Sequence, residues 1–463
     1  MSAITRTPQG RPDVWAQTVA WWTAAVGASV LVAWMTTVSL QLGCMFALLV
    51  LAVGAYIRSP VAGLAVMWGV WLLTPLVRRL FGLEGGYLDA DPLAAAPFLV
   101  TATLVLVELY RDGLPRPLHR PVLFGVVAFA IGIPAGLSSP SALAFALFSY
   151  AAAFSAVVLG YRESVRDPAS AGSLVRALLV ALPFLSMYGV YQYFALPEWD
   201  SVWVETTNFV TAGAPEEGHV RVWSTLNSPG TFGMTLGIGL VCALASPRFG
   251  PGRLLAVAVM LPALALTYVR SAWIALAVAA IALLFASRGR YTARIAVAIA
   301  IAFAGVPALV GGATGEALTS RFTTLGDLSG DTSAQARQQT TLQLVPQSLA
   351  RPVGAGLGSA GEASRLSRPG SDFRYTDNGY LSLLYQVGPF GFALLAAAAA
   401  PGVRRAWRLA RRRTSGAVSL ALLGVIVFSL VGMFTGDLLF GITGVAFWYV
   451  LGMAIGRDEA TNP

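Results

Sequence analysis

The 463-residue sequence has no lysine, two cysteines, two histidines and only 11% charged residues. Soluble domains carry roughly 25% charged residues, so an ordinary water-facing surface is excluded for most of this chain. Cys44 and Cys242 lie far apart, each inside an apolar run with no second Cys or His at ligand spacing. That leaves both a disulfide framework and a zinc site unsupported. All 31 basic residues are arginine, a preference that carries no functional inference by itself. What the chain has in abundance is apolar sequence: it is 56% hydrophobic, with a mean hydropathy of +0.69. The net charge of +9 does not point to nucleic acid, because the arginines sit mostly in short loops between apolar segments. The expected fold class is all-α: a polytopic integral membrane protein with a large, partly helical outer loop.

A crossing needs about 20 mainly apolar residues. Fourteen segments meet that pattern, at roughly 17–37, 41–57, 60–77, 93–110, 121–137, 141–161, 173–195, 229–246, 253–269, 271–287, 292–311, 379–400, 416–434 and 438–456. Short neighbours such as the first two also admit re-entrant or tilted arrangements, so twelve to fourteen spans are expected. Met1 to Val14 is polar and no cleavage site follows, so the first span is expected to be an uncleaved anchor. With a cytoplasmic N-terminus, the inner loops collect Arg58, Arg111, Arg162, Arg248, Arg288, Arg404 through Arg413 and Arg457, as the positive-inside rule requires. Both termini are then cytoplasmic, and 78–92, 196–228 and 312–378 lie outside. The expected organisation is 1–200 as amino-terminal spans, 201–311 as spans carrying candidate anion-binding arginines, 312–378 as an outer loop and 379–463 as carboxy-terminal spans.

Arginines on the outer side break the topology rule and need another cause. They are Arg78, Arg79, Arg221, Arg270 and six in the loop: Arg321, Arg337, Arg351, Arg365, Arg368 and Arg374. Arg270 lies between two apolar runs with almost no loop around it; a charge at membrane depth costs about 2.5–3.5 kcal/mol at the centre and marks function by default. The alternative is an interfacial arginine snorkelling to headgroups. Arg221 precedes Asn227-Ser-Pro-Gly230, which reads as a helix start, where free backbone N–H groups favour an anion. Its alternative is pairing with Glu216 or Glu217. Thr332 to Pro346 reads as a helix carrying Arg337 on a polar face, with Ser333 as a cap and a second short helical piece from Gln347. Gly354, Gly356 and Gly358 lack the strand of a nucleotide fingerprint, so they are read as a tight turn bringing backbone to the membrane surface or a glycan. Gly233 and Gly237 have the spacing of close helix packing. Asp377, at the mouth of the next apolar segment beside Asn378 and Tyr380, is either a helix cap or a general base. His219 is the rival base.

Taken in order, these outer elements resemble the O-antigen ligase and Wzy-type polysaccharide polymerase superfamily. The likeness rests on Arg221 with Asn227-Ser-Pro-Gly230, Thr267-Tyr-Val-Arg270-Ser-Ala, the Arg337 helix, Arg351-Pro-Val-Gly-Ala-Gly-Leu-Gly358, and Asp377-Asn-Gly-Tyr-Leu381 leading to Gly388-Pro-Phe-Gly391, and it covers roughly residues 200–395. The resemblance implies a membrane glycosyltransferase of the bacterial inner membrane with a periplasmic site. Its donor would be a glycan on undecaprenyl diphosphate and its acceptor another glycan, with no nucleotide sugar, cofactor or required metal. Membrane lipids and other polysaccharide assembly proteins would be its partners, and nucleic acid would not. Carried onto this chain, the catalytic set is Asp377, Arg270 and Arg221, and the substrate-binding set is Arg337, Asn378, Tyr380, Arg321 and His219. Ligases of the family have His-Asn where this chain has Asp377-Asn378, which shifts the expectation from ligase to polymerase. A transporter, a reading of another class, predicts ionisable residues along helix middles and an internal repeat; the interruptions here gather instead at the outer face.

Overall fold

The computed structural model describes residues 26–36, 38–85, 91–168, 172–207, 210–246, 250–288, 292–300, 332–367, 376, 378–412 and 416–461. Its helices are α1 Val26–Thr36, α2 Leu40–Arg58, α3 Pro60–Gly85, α4 Ala96–Asp112, α5 His119–Gly136, α6 Pro140–Arg166, α7 Ser173–Ala195 and α8 Glu198–Thr206. They continue with α9 Pro229–Ala245, α10 Pro251–Leu266, α11 Arg270–Ser287, α12 Thr292–Ala300, α13 Thr332–Leu349, α14 Gly379–Arg411, α15 Ala417–Gly432 and α16 Gly441–Thr461. Among the described residues there is no strand. Among the described residues, eight helices are long and apolar enough to cross a membrane, while α1, α9, α10 and α15 are apolar but shorter. The chain is an all-α polytopic membrane protein, and every expected apolar segment contains a helix.

Small residues set the helix spacing. A Cβ on Gly160 of α6 would lie 1.9 Å from the Tyr449 carbonyl oxygen of α16, and one on Gly452 would lie 2.0 Å from that of Val157. Backbones approach this closely in membranes because lipid offers helices no hydrophobic drive of their own. The same logic runs α9 antiparallel to α15: Gly432 packs on Met234, Gly237 on Phe428 and Gly424 on Val241. Gly424 also touches Leu283 of α11. The first turns of α9 and α11 therefore stand at the end of the bundle where α15 finishes. Tyr380, in the first turn of α14, donates its hydroxyl to Leu430 O at 2.6 Å, which brings the start of α14 to that end as well.

The loop between α13 and α14 is sewn into the bundle by a break in α14. Pro389 has no N–H for the carbonyl of Tyr385, and Gly388, at φ 67° and ψ 177°, turns the chain out of the helix. Ala355 N donates to the freed Tyr385 O at 2.7 Å, Gly356 N to Gln386 O at 3.1 Å and Leu357 N to Gly132 O at 2.8 Å. Gly358 N reaches Gln386 Oε1 at 2.9 Å. These bonds need φ of 80°, 108° and 88° at Gly354, Gly356 and Gly358, a region open chiefly to glycine. The glycine run thus packs against α5, α6 and α14 rather than reaching out to a membrane surface or glycan, contrary to the sequence expectation. Leu344 of α13 joins Ala360, Leu381 and Tyr385 in a small separate core that seats the loop on α14. α13 itself runs unbroken through Pro346 to Leu349, so the expected second helical piece is part of it. The carbonyl deprived of its donor belongs to Leu342, a 68% exposed position.

Candidate functional site

Arg221 bonds to the turn that leads into Arg270. The Arg221 Nε donates to Thr267 O at 3.1 Å and its Nη1 to Thr211 O at 3.3 Å. Arg221 N bonds to Ala212 O at 2.7 Å and Val222 N to Leu266 O at 3.0 Å, so the segment lies along the end of α10. Three residues after Thr267, Arg270 opens α11 as its first residue. The intervening turn is tight: Tyr268 has φ 53°, Thr267 Oγ1 donates to Leu264 O at 2.6 Å, and Val269 N donates to Thr267 Oγ1 at 3.2 Å. Gly233 lets α9 press on this turn, with an added Cβ 3.1 Å from Thr267 Oγ1. α9 begins as its sequence indicates, with Pro229 in its first turn and Ser228 Oγ accepting from Thr231 N at 3.1 Å. Both arginines are half-buried, and each adjoins the N-terminal end of a helix, where partial positive charge favours anions.

A buried framework holds the Arg221 segment from beneath. Arg79 Nε lies 3.2 Å from Asp200 Oδ1, with both side chains almost wholly buried. Its other nitrogens donate to Leu226 O at 2.9 Å and Ser224 O at 2.5 Å, and its guanidinium lies over the Trp203 ring at 5.5 Å. Tyr188 and Gln192 donate to Asp200 Oδ2 at 2.7 Å and 2.6 Å. The same Gln192 accepts from Trp223 N and Ser224 N at 3.0 Å and 2.9 Å. These bonds hold Ser224 at φ 53°, a left-handed conformation uncommon for residues other than glycine. Burial pushes the Asp200 carboxyl above the usual carboxylate range, against the opposing pull of Arg79. Arg78 likewise pairs with Asp91 at 3.1 Å. Two of the arginines expected on the outer side therefore owe their position to buried structural ion pairs.

At the start of α14 the helix cap is Asn378. Its Oδ1 accepts from Leu381 N at 3.1 Å, and its own N–H donates to Thr376 Oγ1 at 3.2 Å. Gly379 N donates to Met433 O at 2.8 Å, and Gly379 lies so close to the α15–α16 turn that a Cβ would be 2.6 Å from Gly436 O. In that turn sits Asp437, a residue the sequence reading passed over. Asp437 accepts hydrogen bonds from the Tyr150 hydroxyl and from Leu439 N. Gln386 Nε2 donates to Tyr150 at 3.3 Å and to Ser382 Oγ at 3.0 Å. Burial, with Glu362 adding repulsion, pushes the Asp437 carboxyl up to about 6. A polar chain thus joins the Asp437 turn to Gln386, the residue that also anchors the glycine turn.

The other expected site residues fall out as follows. His219 is exposed; its Nδ1 is 3.0 Å from Glu217 O and 3.9 Å from Glu216 Oε2. Tyr380 uses its hydroxyl on Leu430 O and packs its ring on Phe434 and Phe392. Arg351 reaches the Tyr385 hydroxyl at 3.3 Å, and Arg365 pairs with Glu362 at 3.4 Å. The backbone of Arg337 lies in α13; its side chain, together with Asp377, Arg321, Arg368 and Arg374, lies outside the described residues. Asp437 had one signal in the sequence: a carboxylate alone in a three-residue gap between two apolar runs, the pattern that singled out Arg270.

Residues 255–396 match the Wzy_C family, described as O-antigen ligase. No curated protein matches the chain. The matched segment contains Arg270, Arg321, Arg337, Asp377, Asn378 and Tyr380 and stops short of Arg221 and His219. It bears out the resemblance to the O-antigen ligase and Wzy-type polymerase superfamily, and it supports a membrane ligase- or polymerase-type function.

Proposed function

We propose, from the match of residues 255–396 to the O-antigen ligase family, that this multi-pass protein polymerises glycan at the periplasmic membrane face. It would transfer an undecaprenyl-diphosphate-linked glycan to an acceptor glycan, with inversion at the anomeric carbon. The observation that carries the reading is the corner where Arg221 bonds to the carbonyl of Thr267, three residues before Arg270. Breaking the anomeric C–O bond leaves negative charge on the departing diphosphate. Guanidiniums fixed before the reaction stabilise that charge by paired hydrogen bonds, with the first turns of α9 and α11 adding their dipoles. The acceptor hydroxyl loses its proton as its oxygen attacks, and Asp377, one residue before the Asn378 cap, is placed by sequence to receive it. Arg337, Arg321 and His219 serve the glycan or diphosphate in this reading.

A second reading, ligation to lipid A-core or another terminal acceptor, is favoured by the description of the matched family. Analysis of carrier-lipid-linked glycans in a deletion strain separates the two. Loss of a polymerase accumulates single repeat units on the carrier, and loss of a ligase accumulates long carrier-linked polymer. Complementation with Arg270→Ala or Asp377→Asn is expected to reproduce the deletion pattern. Unchanged polymer length and yield with both variants would remove these residues from the chemistry.

A further inference from the structure

At the opposite end of α14 from Asn378, a groove of about 730 Å³ opens between α14 and α15. Pro401, Val403, Leu423, Ile426, Val427 and Leu430 form its apolar lining, and Arg404, Arg405, Trp407 and Arg408, from the last turns of α14, complete it. The volume lies in the roughly 300–1,000 Å³ range of pockets that take small molecules. Arg404 and Arg408 are four residues apart on one helix and so share a face, with Trp407 between them. Arg411 lies over the Trp407 ring at 5.4 Å.

The charge at this end is lopsided. Arg405, Arg408 and Arg412 converge on Asp458 at 3.7, 2.9 and 3.2 Å, and Arg405 also reaches Glu459 at 3.5 Å. Three of the five arginines from 404 to 412 thus pair with these two carboxylates, one of which also accepts the Tyr161 hydroxyl. The charge distribution of the sequence places this end on the cytoplasmic side. An apolar trough completed by arginine and tryptophan at that depth matches an amphiphile with an anionic head and a hydrocarbon tail.

We propose that this groove binds an anionic glycerophospholipid of the bilayer, one acyl chain along the trough and the phosphate between Arg404 and Arg408. The site is separate from the Arg221 and Arg270 corner and does not depend on the glycan-transfer reading. The test is native mass spectrometry of the purified full-length chain with phosphatidylglycerol and phosphatidylcholine of identical acyl chains. The wild type is expected to retain phosphatidylglycerol preferentially. The double variant Arg404→Gln/Arg408→Gln should lose that preference by roughly thirty-fold, about fivefold for each arginine near an anionic headgroup. Val427→Trp, which fills the trough without touching a charge, should weaken retention of both lipids. Equal retention of the two lipids by the wild type, or no change in either variant, would overturn the proposal. Displacement of phosphatidylglycerol by an equal concentration of undecaprenyl diphosphate would assign the groove to a polyprenyl chain and overturn it too.

Discussion

Replacing Arg79 with alanine tests whether the buried framework positions the Arg221 segment. The change removes the ion pair to Asp200 and the hydrogen bonds to Leu226 O and Ser224 O. It strands a carboxyl that burial already holds above its usual range. Breaking a buried pair from one side costs about 3–5 kcal/mol, and Arg79→Ala is expected to destabilise the protein by that order. Asp200→Asn keeps the acceptor for Tyr188 and Gln192 while removing the charge, so the double variant Arg79→Ala/Asp200→Asn should be less destabilised than the sum of the singles. A coupling of about 1–3 kcal/mol is expected for groups in one network. The assay is denaturant unfolding of the detergent-solubilised chain followed by tryptophan fluorescence, since Trp203 and Trp223 line the framework. Activity should fall in Arg79→Ala although Arg79 is far too buried to meet a substrate. Singles that add within about 0.5 kcal/mol would refute the reasoning.

Gly356→Ala would place a Cβ 2.4 Å from Gly136 N at φ 108°. About 1–2 kcal/mol of backbone strain plus the steric conflict should destabilise the loop anchor, read as faster proteolysis between α13 and α14. Asp437 carries a pH dependence of defined sign. Its carboxyl is pushed up to about 6, so the folded state holds the proton more tightly than the unfolded chain does. Stability should therefore fall as pH rises from about 4 to 6 and then level off, a loss on the order of 3 kcal/mol. Asp437→Asn should flatten that profile in thermal unfolding between pH 4 and 7; an unchanged slope would contradict the assignment. Asn378→Ala should cost about 1 kcal/mol through loss of the helix cap, and Asn378→Asp should restore most of it, as measured by thermal unfolding.

The helices were legible because a run of about 20 apolar residues has few other uses, and the start of α9 because Ser228 and Pro229 are standard opening residues. The Arg221 and Arg270 motifs were visible singly, but their union depends on a main-chain carbonyl, Thr267 O, which no side-chain pattern reports. The sequence listed Arg78 and Arg79 with the functional arginines. Their partners, Asp91 and Asp200, become visible only when α3 is folded against the 91–95 segment and α8. The tight turn expected at the glycine run is present, but it packs inward rather than outward. Its acceptors are carbonyls freed by Pro389 and Gly388, a pairing of two irregularities that local reasoning treats separately. Asp437 belongs to no sequence motif, because its partners Tyr150 and Gln386 come to that turn only through the fold.

The claim on which the account turns is that Arg221 and Arg270 grip a diphosphate. Binding of undecaprenyl diphosphate to the purified chain should weaken roughly ten- to a hundredfold on Arg221→Ala or Arg270→Ala, the scale of a hydrogen bond to a charged group. Wild-type affinity in both variants would contradict it.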